Sequence, residues 1–302
     1  MAVIEVSDLV KVYDGTTVVD EISFSVEQGE IFGIVGPNGA GKTTTVESIE
    51  GLREPDAGTI RVLGLDPLRD RAEVTRRVGA QLQESNLPDR LRVQEAMELY
   101  ASFYDEPADW HDLMTRLGLD EKAGTSYGKL SGGQKQRLAV ALALIGSPEI
   151  AILDELTTGL DPAARRATWK TIEDIRDSGV TVVLVTHFME EAERLCDRIM
   201  VIDKGRSVAI DTPEGLVART GGEQRLRFRP SGRIDDEAVA ELPSVSSVAR
   251  DGDHVLVSGT AASFQEVTGL LSQHGLVAEG ISVGQHTLED AYLALTSDEE
   301  AR

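Results

Sequence analysis

The segment from Gly36 to Thr44 constrains the fold of this chain more than any other. It reads Gly-Pro-Asn-Gly-Ala-Gly-Lys-Thr-Thr and fits the pattern G-x-x-x-x-G-K-[ST]. An apolar run, Ile31 to Val35, precedes it, and a helix-like segment from Thr43 to Leu52 follows it. A strand, a glycine-rich turn and a helix in this order are typical of a loop that binds a phosphate chain.

The residue types in this segment suit that task. Gly36, Gly39 and Gly41 allow the backbone to curl around an anion, so that several N–H groups and the positive end of the helix face it. Lys42 adds a positive charge for the β- and γ-phosphates, and the hydroxyl of Thr43 is the expected Mg²⁺ ligand. The alternative is a glycine-rich turn that binds nothing, which the order of strand, glycines, Lys and Thr disfavours.

Composition limits the other functions of the chain. Its net charge is −22 over 302 residues, and such a field repels phosphate backbones, so we expect no nucleic-acid partner. No apolar run reaches the ~18 residues that a membrane helix needs, and the N-terminus lacks the features of a signal peptide. We therefore expect the protein to stay in the cytosol. The single cysteine, Cys196, excludes an internal disulfide and is predicted to be a packing residue.

Three side chains at predicted strand ends are candidate ligand contacts. Tyr13 lies between two alternating segments and is either a strand-end aromatic residue or a ring that stacks on a purine. Gln83 lies at the polar end of a predicted strand and is either a metal or water contact or a solvated loop amide. His187 ends the β-rich run that begins at Val180, where an ordinary histidine and a phosphate contact both remain open.

Two carboxylates, Asp154 and Glu155, end the apolar segment that begins at Glu149. The C-terminal edge of a parallel sheet is where ligands bind in this kind of fold. Because side chains alternate along a strand, we expect the two carboxylates to point in different directions. One would then reach Mg²⁺ and the other an attacking water.

The pentapeptide Leu-Ser-Gly-Gly-Gln, residues 130–134, precedes a buried helical segment. Ser131 is the predicted N-cap of that helix, and the two glycines leave the helix N-terminus open to an anion. The pattern predicts a second anion site, although an N-cap followed by glycines is also common without a ligand.

Two further regions have patterns of their own. Apolar residues three and four apart predict a helical insertion between Leu91 and Leu119, in which Trp110 and His111 begin the second helix as packing residues. Beyond Gly221-Gly222, short strand patterns and two helical segments predict a small α+β domain. The three histidines of that domain show no metal-ligand spacing.

The order of these features resembles the ATP-binding cassette (ABC) ATPases over residues 1 to about 220. The tail resembles the C-terminal extension of ABC ATPases of the antibiotic-resistance exporter type. This resemblance implies an α/β fold, the ABC-type P-loop NTPase with an antiparallel β subdomain and a helical subdomain at about 84–145. The ATPase domain would cover residues 1–221, and the small α+β C-terminal domain residues 222–302.

The resemblance also implies a role for each candidate residue. Tyr13 would stack on adenine, Glu155 would polarise the attacking water, and His187 would contact the γ-phosphate. The implied Mg²⁺ ligands are Thr43, Asp154 and Gln83, and Gln83 would also sense the membrane partner. The remaining implied ATP contacts are Gly36, Asn38, Gly39, Gly41, Lys42, Thr43 and Thr44 in one subunit, with Ser131, Gly132, Gly133, Gln134 and Asp161 serving the subunit interface.

One phosphate loop and one Leu-Ser-Gly-Gly-Gln segment in the chain imply a homodimer with two ATP molecules between its subunits. A separately encoded transmembrane permease would hold the dimer at the cytoplasmic face of the plasma membrane, and its substrate would be a drug, a lipid or a similar small molecule. The alternatives are a soluble ABC ATPase that acts on a ribosome, nucleic acid or a cluster-assembly scaffold, and a scaffold that binds nucleotide with little turnover. Leu156 departs from the family, which usually has Pro at this position, and we expect it to loosen the turn beside Glu155.

Overall fold

The computed structural model describes residues 1–81, 87–219, 224–260, 262–284 and 287–300, with side chains up to residue 296. The chain divides into two compact units, Met1–Pro213 and Glu214–Arg302, whereas the sequence places the boundary at residue 221. Among the residues that the structure describes, no helix is both long enough and apolar enough to cross a membrane.

The elements of the first part of the chain are β1 (Ala2–Tyr13), β2 (Thr16–Glu27), β3 (Ile31–Val35), α1 (Lys42–Ile49), β4 (Ala57–Val62), α2 (Arg71–Arg77), β5 (Val78–Gln81), α3 (Val93–Ala101), α4 (Trp110–Arg116), α5 (Gly132–Leu144), β6 (Ile150–Asp154), α6 (Pro162–Asp177), β7 (Thr181–Thr186), α7 (Met189–Leu195), β8 (Arg198–Asp203), β9 (Arg206–Asp211) and α8 (Pro213–Arg219). The predicted α1 ends later, at Leu52. The helix α2 is not predicted from the sequence, because its seven residues are too few to show a helical period.

The alternating N-terminal segments form an antiparallel sheet with the strand order β2-β1-β4, as predicted. Its buried face includes Ile4, Val6 and Leu9 of β1, and polar residues alternate with them. The alternation places one face of the sheet in the core and leaves the other polar.

The central sheet has the order β5-β6-β7-β3-β8-β9 and is parallel except for β9. Every residue of β3, β6 and β7 is buried, as expected for strands covered on both faces. In this register Ile34 and Asp154 both lie opposite Val185. The carboxyl ends of these three strands therefore meet at one edge, and the loop at Gly36, the carboxylates and His187 all follow that edge.

The second part of the chain contains β10 (Gln224–Pro230), α9 (Asp236–Ala240), β11 (Val245–Asp251), β12 (His254–Gly259), α10 (Ser263–Gln273), β13 (Ala278–Gly284) and α11 (Leu288–Glu300). Its antiparallel sheet has the order β11-β12-β10-β13. Leu226 and Phe228 of β10 pack with Val239, Val267 and Leu271 of the helices in a separate core. The five-residue α9 is another short helix that the sequence analysis does not predict.

Candidate active site

The loop between β3 and α1 adopts a conformation that requires glycine at several positions. Gly39 and Gly41 have φ values of 82° and 100°, in the left-handed region that side chains disfavour. A Cβ atom on Gly36 would overlap the carbonyl oxygen of Ile202, and one on Gly41 would lie 2.6 Å from the carbonyl oxygen of Val18. The loop is therefore packed closely against β2 and β8, and its glycines cannot be replaced without moving the backbone.

A cavity of about 270 Å³ lies over this loop and the start of α1. Its lining brings together six of the seven predicted loop residues, the predicted catalytic carboxylate and one residue that the sequence analysis does not single out: Val18, Asn38, Gly39, Gly41, Lys42, Thr43, Thr44 and Glu155. The N-terminus of an eight-residue helix opens into the same space, which favours an anion there.

Lys42 is buried, and its ammonium group lies inside the curl of the loop. Its Nζ donates hydrogen bonds to the carbonyl oxygens of Gly36 at 2.8 Å and Pro37 at 3.0 Å. Burial lowers the pKa of Lys42, and the nearby carboxylates of Glu155 and Asp154 oppose that change. The charge is thus preorganised next to the cavity, where a phosphate oxygen would accept the third hydrogen bond of the ammonium group.

Asp154 ends β6 and is buried. Burial and the neighbouring charge of Glu155 raise its pKa to about 6, while Lys42 acts in the opposite direction. Its carboxylate is therefore held close to a second carboxylate, at a cost that a bound cation would offset.

Strand alternation does not apply to the pair Asp154 and Glu155, because β6 ends at Asp154. Glu155 has already left the strand, and its φ of 49° lies in the left-handed region. Its N–H donates to the carbonyl oxygen of Val185 at 2.9 Å, and its Oε1 lies 3.1 Å from Nδ1 of His187. This turn aims Glu155 at the cavity and pairs it with the histidine that follows β7.

The structure shows how the turn after Glu155 packs, and the loosening expected of Leu156 stays a prediction. Leu156 is completely buried, and the N–H of Thr158 donates to the carbonyl oxygen of Glu155 at 3.3 Å. The leucine that replaces the usual proline of the family is thus a packed core residue in a turn closed by hydrogen bonds.

The pentapeptide at 130–134 lies apart from the phosphate cavity of the same chain. Ser131 is the N-cap of α5, as predicted, and exchanges hydrogen bonds with Gln134 in a capping box. A Cβ atom added to Gly132 or Gly133 would lie 3.8 or 3.9 Å from a methyl group of Leu160, two residues before α6 begins. Asp161 caps α6 by accepting hydrogen bonds from the N–H groups of the second and third residues after it, and these bonds lower its pKa.

Tyr13 is not among the residues that line the cavity. Tyr13 ends β1, where Lys11 Nζ lies 5.4 Å and the Arg53 guanidinium 5.6 Å from the centre of its ring. Gln83 lies outside the described residues. The roles assigned to these two side chains stay predictions.

Two buried carboxylates near the site are not predicted from the sequence. Glu50 follows the last residue of α1, and Glu191 lies on α7. Charged side chains are rarely buried without a partner. An acidic residue at a helix position where the pattern calls for an apolar one is therefore the sequence signal that could have revealed these two carboxylates. For Glu50 that signal is its place directly after the buried Ile49.

The comparisons with known proteins agree with this geometry. A family model described as ABC transporter matches residues 19–158. The Nod factor export ATP-binding protein I of Paraburkholderia xenovorans is 44% identical over 223 residues, which cover 72% of this chain and 73% of that protein. This chain belongs to the ABC transporter ATP-binding proteins. It is an ATP-binding subunit of a transporter, and its ATPase activity is coupled to transport.

Solved structures of ABC cassettes confirm the predicted fold. The ATP-binding subunit of an ABC transporter is 28% identical with a TM-score of 0.66, covering 72% of this chain and 93% of that one. A dimeric, post-hydrolysis state of an ATP-binding cassette bound to ADP and Pi is 25% identical with a TM-score of 0.63, covering 69% of this chain and 98% of that one.

Proposed function

We propose that this ABC subunit powers the export of a small molecule, such as a drug or a lipid, through a separately encoded transmembrane permease. The observation that carries the proposal is the 44% identity with a protein named for Nod factor export. The subunit would work at the cytoplasmic face of the membrane, bound to that permease. The substrate itself would be selected by the permease, because the described part of the chain has no membrane-crossing helix.

The working form that we propose is a homodimer with two ATP molecules at its interface. The phosphate cavity and the segment Ser131–Gln134 are separate in one chain, so one chain offers two different halves of a site. The helix N-terminus at Ser131 suits a phosphate held by the other copy. A related cassette has been solved as a dimer bound to ADP and Pi.

The donor atoms at the cavity fit a Mg²⁺–ATP complex. Mg²⁺ is usually held by one or two carboxylates, hydroxyl groups and the phosphates of the substrate. Asp154 and Thr43 would supply such donors, and Gln83 completes the proposed set. When bound, Mg²⁺ would neutralise charge on the β- and γ-phosphates.

The residues around the γ-phosphate position have separate proposed tasks. Lys42 and the loop N–H groups hold the phosphate chain in place. Glu155 accepts a hydrogen bond from the attacking water and orients it, and His187, 3.1 Å from Glu155, contacts the γ-phosphate. Tyr13 stacks on the adenine ring.

The export proposal is tested by isolating Glu155→Gln protein with Mg²⁺ and ATP from its native host in mild detergent. We expect a multi-spanning membrane protein to be recovered with it, since a dimer that cannot hydrolyse ATP stays closed. The control is the same isolation with Lys42→Ala protein, which should not hold ATP. Recovery of ribosomes or soluble proteins, with no membrane protein, would favour the soluble ABC ATPase instead.

A further inference from the structure

Glu191 carries a carboxylate in the interior of the first unit. The residue is 0% exposed, and its Oε1 accepts a hydrogen bond of 3.1 Å from Nε1 of Trp169. Its second oxygen, Oε2, is buried without a hydrogen-bond partner. A buried carboxylate with an unpartnered oxygen costs free energy, so its position calls for an explanation beyond packing.

The groups around this carboxylate are polar and also buried. Burial raises the pKa of Glu191, and the hydroxyls of Thr186 and Thr157, the Trp169 N–H and the charge of Arg165 oppose that rise. Both threonines are completely buried. The Thr157 hydroxyl makes no hydrogen bond of normal geometry in this structure, so the cluster keeps capacity for one more hydrogen bond.

Two of these neighbours lie beside a residue of the proposed hydrolytic site. Thr157 is two residues after Glu155, and Thr186 directly precedes His187. The Oγ1 of Thr186 also accepts the N–H of Phe188 at 3.0 Å, so it fixes the backbone on the far side of His187. Trp169 belongs to α6, the helix that Asp161 caps.

We propose that Glu191 is a positioning residue for ATP hydrolysis. Its carboxylate is hydrogen bonded to Trp169 of α6 and lies beside the two buried threonine hydroxyls. Through these neighbours it fixes the Glu155–His187 pair over the cavity. This inference rests on the proposed roles of Glu155 and His187. It predicts that Glu191 affects the rate of the chemical step and has little effect on ATP binding, because Glu191 is not among the residues that line the cavity.

A structural role and a positioning role make different predictions for an apolar replacement. Glu191→Met leaves the buried Trp169 N–H without an acceptor, so some loss of stability is expected under either role. A purely structural role predicts that loss alone, whereas a positioning role also predicts a lower kcat in the folded variant. Glu191→Met keeps the length of the side chain and removes the hydrogen-bond acceptor, whereas Glu191→Gln keeps an acceptor oxygen for Trp169. The matched control is Glu190→Gln, since Glu190 directly precedes Glu191 on the same helix, its side chain is 75% exposed, and among the described residues it makes only a 3.9 Å surface ion pair with Arg165.

The test measures kcat, KM, the Kd for a fluorescent ATP analogue, and Tm for the full-length variants. We expect Glu191→Met to lower kcat by roughly 10- to 100-fold at a temperature where the variant is folded, the size expected for a misplaced catalytic group. Its Kd should stay close to wild type, and its Tm should fall only by the loss of the Trp169 hydrogen bond. Glu191→Gln should recover most of kcat, and Glu190→Gln should match wild type. The substitution Trp110→Phe leaves Trp169 as the single tryptophan. In that background the fluorescence emission of Trp169 in Glu191→Gln should match the emission in the protein that keeps Glu191.

A kcat of Glu191→Met within about threefold of wild type would overturn the inference, because such a difference is below 1 kcal/mol in the barrier. If this variant does not fold, Thr186→Val decides the matter: a folded Thr186→Val protein with wild-type kcat also overturns it. Glu155→Gln separates the two proposals. Wild-type turnover in Glu155→Gln refutes the proposed hydrolytic site, whereas loss of turnover there with full activity in Glu191→Met refutes only the role of Glu191.

Discussion

Replacing Glu50 with Gln should stabilise the first unit, and the gain should grow as the pH rises. Both carboxylate oxygens of Glu50 are buried without a hydrogen-bond partner. Burial, followed by the charges of Asp154 and Glu47, raises the pKa of Glu50 from 4.5 to about 8. At neutral pH the folded protein therefore keeps a proton on Glu50 that the unfolded chain has lost.

The magnitude follows from the two pKa values of this group. Because the folded pKa is the higher one, the stabilising contribution is present below pH 4.5 and is lost as the pH rises towards about 8. A tenfold change in proton affinity corresponds to ~1.4 kcal/mol. The unfolding free energy that Glu50 contributes should therefore fall by ~3 kcal/mol between about pH 5.5 and pH 8.5. Gln carries no proton to lose, so its unfolding free energy should lack this pH dependence.

The assay is equilibrium unfolding in urea, followed by tryptophan fluorescence, with EDTA and without nucleotide. Both tryptophans lie in the same unit as Glu50. The pH series should stay above the isoelectric point of about 4.6. At the isoelectric point itself the protein has little net charge to keep it in solution. The measured quantity is the difference in unfolding free energy between Glu50→Gln and wild type at each pH.

The matched control is Glu54→Gln, which removes the same charge from an exposed position four residues further along. Its difference from wild type should stay nearly constant over the series. The reasoning is refuted if the Glu50→Gln difference changes by less than about 0.5 kcal/mol between the two ends of the range, since exposed charges already produce effects of that size.

Three further predictions concern single residues. Glu155→Gln should abolish most ATP turnover in a phosphate-release assay while the Kd for ATP stays near wild type, and parallel loss of binding would contradict the proposed role. Gly79→Ala should prevent stable folding, because its Cβ would overlap the carbonyl oxygen of Ala143; a wild-type Tm would show that the contact yields easily. Leu156→Ala should lower the unfolding free energy by about 2–4 kcal/mol, as expected for a fully buried leucine, and a loss below about 1 kcal/mol would indicate that the turn tolerates a cavity.

Local chemistry made much of this protein predictable. A phosphate loop is recognised by glycines and a lysine at fixed spacing, and the caps at Ser131 and Asp161 depend on residues within three positions of each other. The all-buried β3, β6 and β7 follow from apolar runs of five or six residues. The caps form wherever such short sequences occur in a folded chain, because their partners are their own neighbours. An apolar run predicts a strand covered on both faces, although not the strands that it pairs with.

Other parts of the site depend on distant residues. The direction of Glu155 is decided by a left-handed turn that hydrogen bonds to Val185, and alternation along a strand does not apply to it. The burial of Glu50 and the meeting of Glu191 with Trp169 join segments far apart in the chain. The sequence by itself identified the candidate ATP-binding residues and most of the elements that carry them. The tertiary structure decided which carboxylates lose contact with water and what they face, because burial and charge proximity arise only when separate elements pack together.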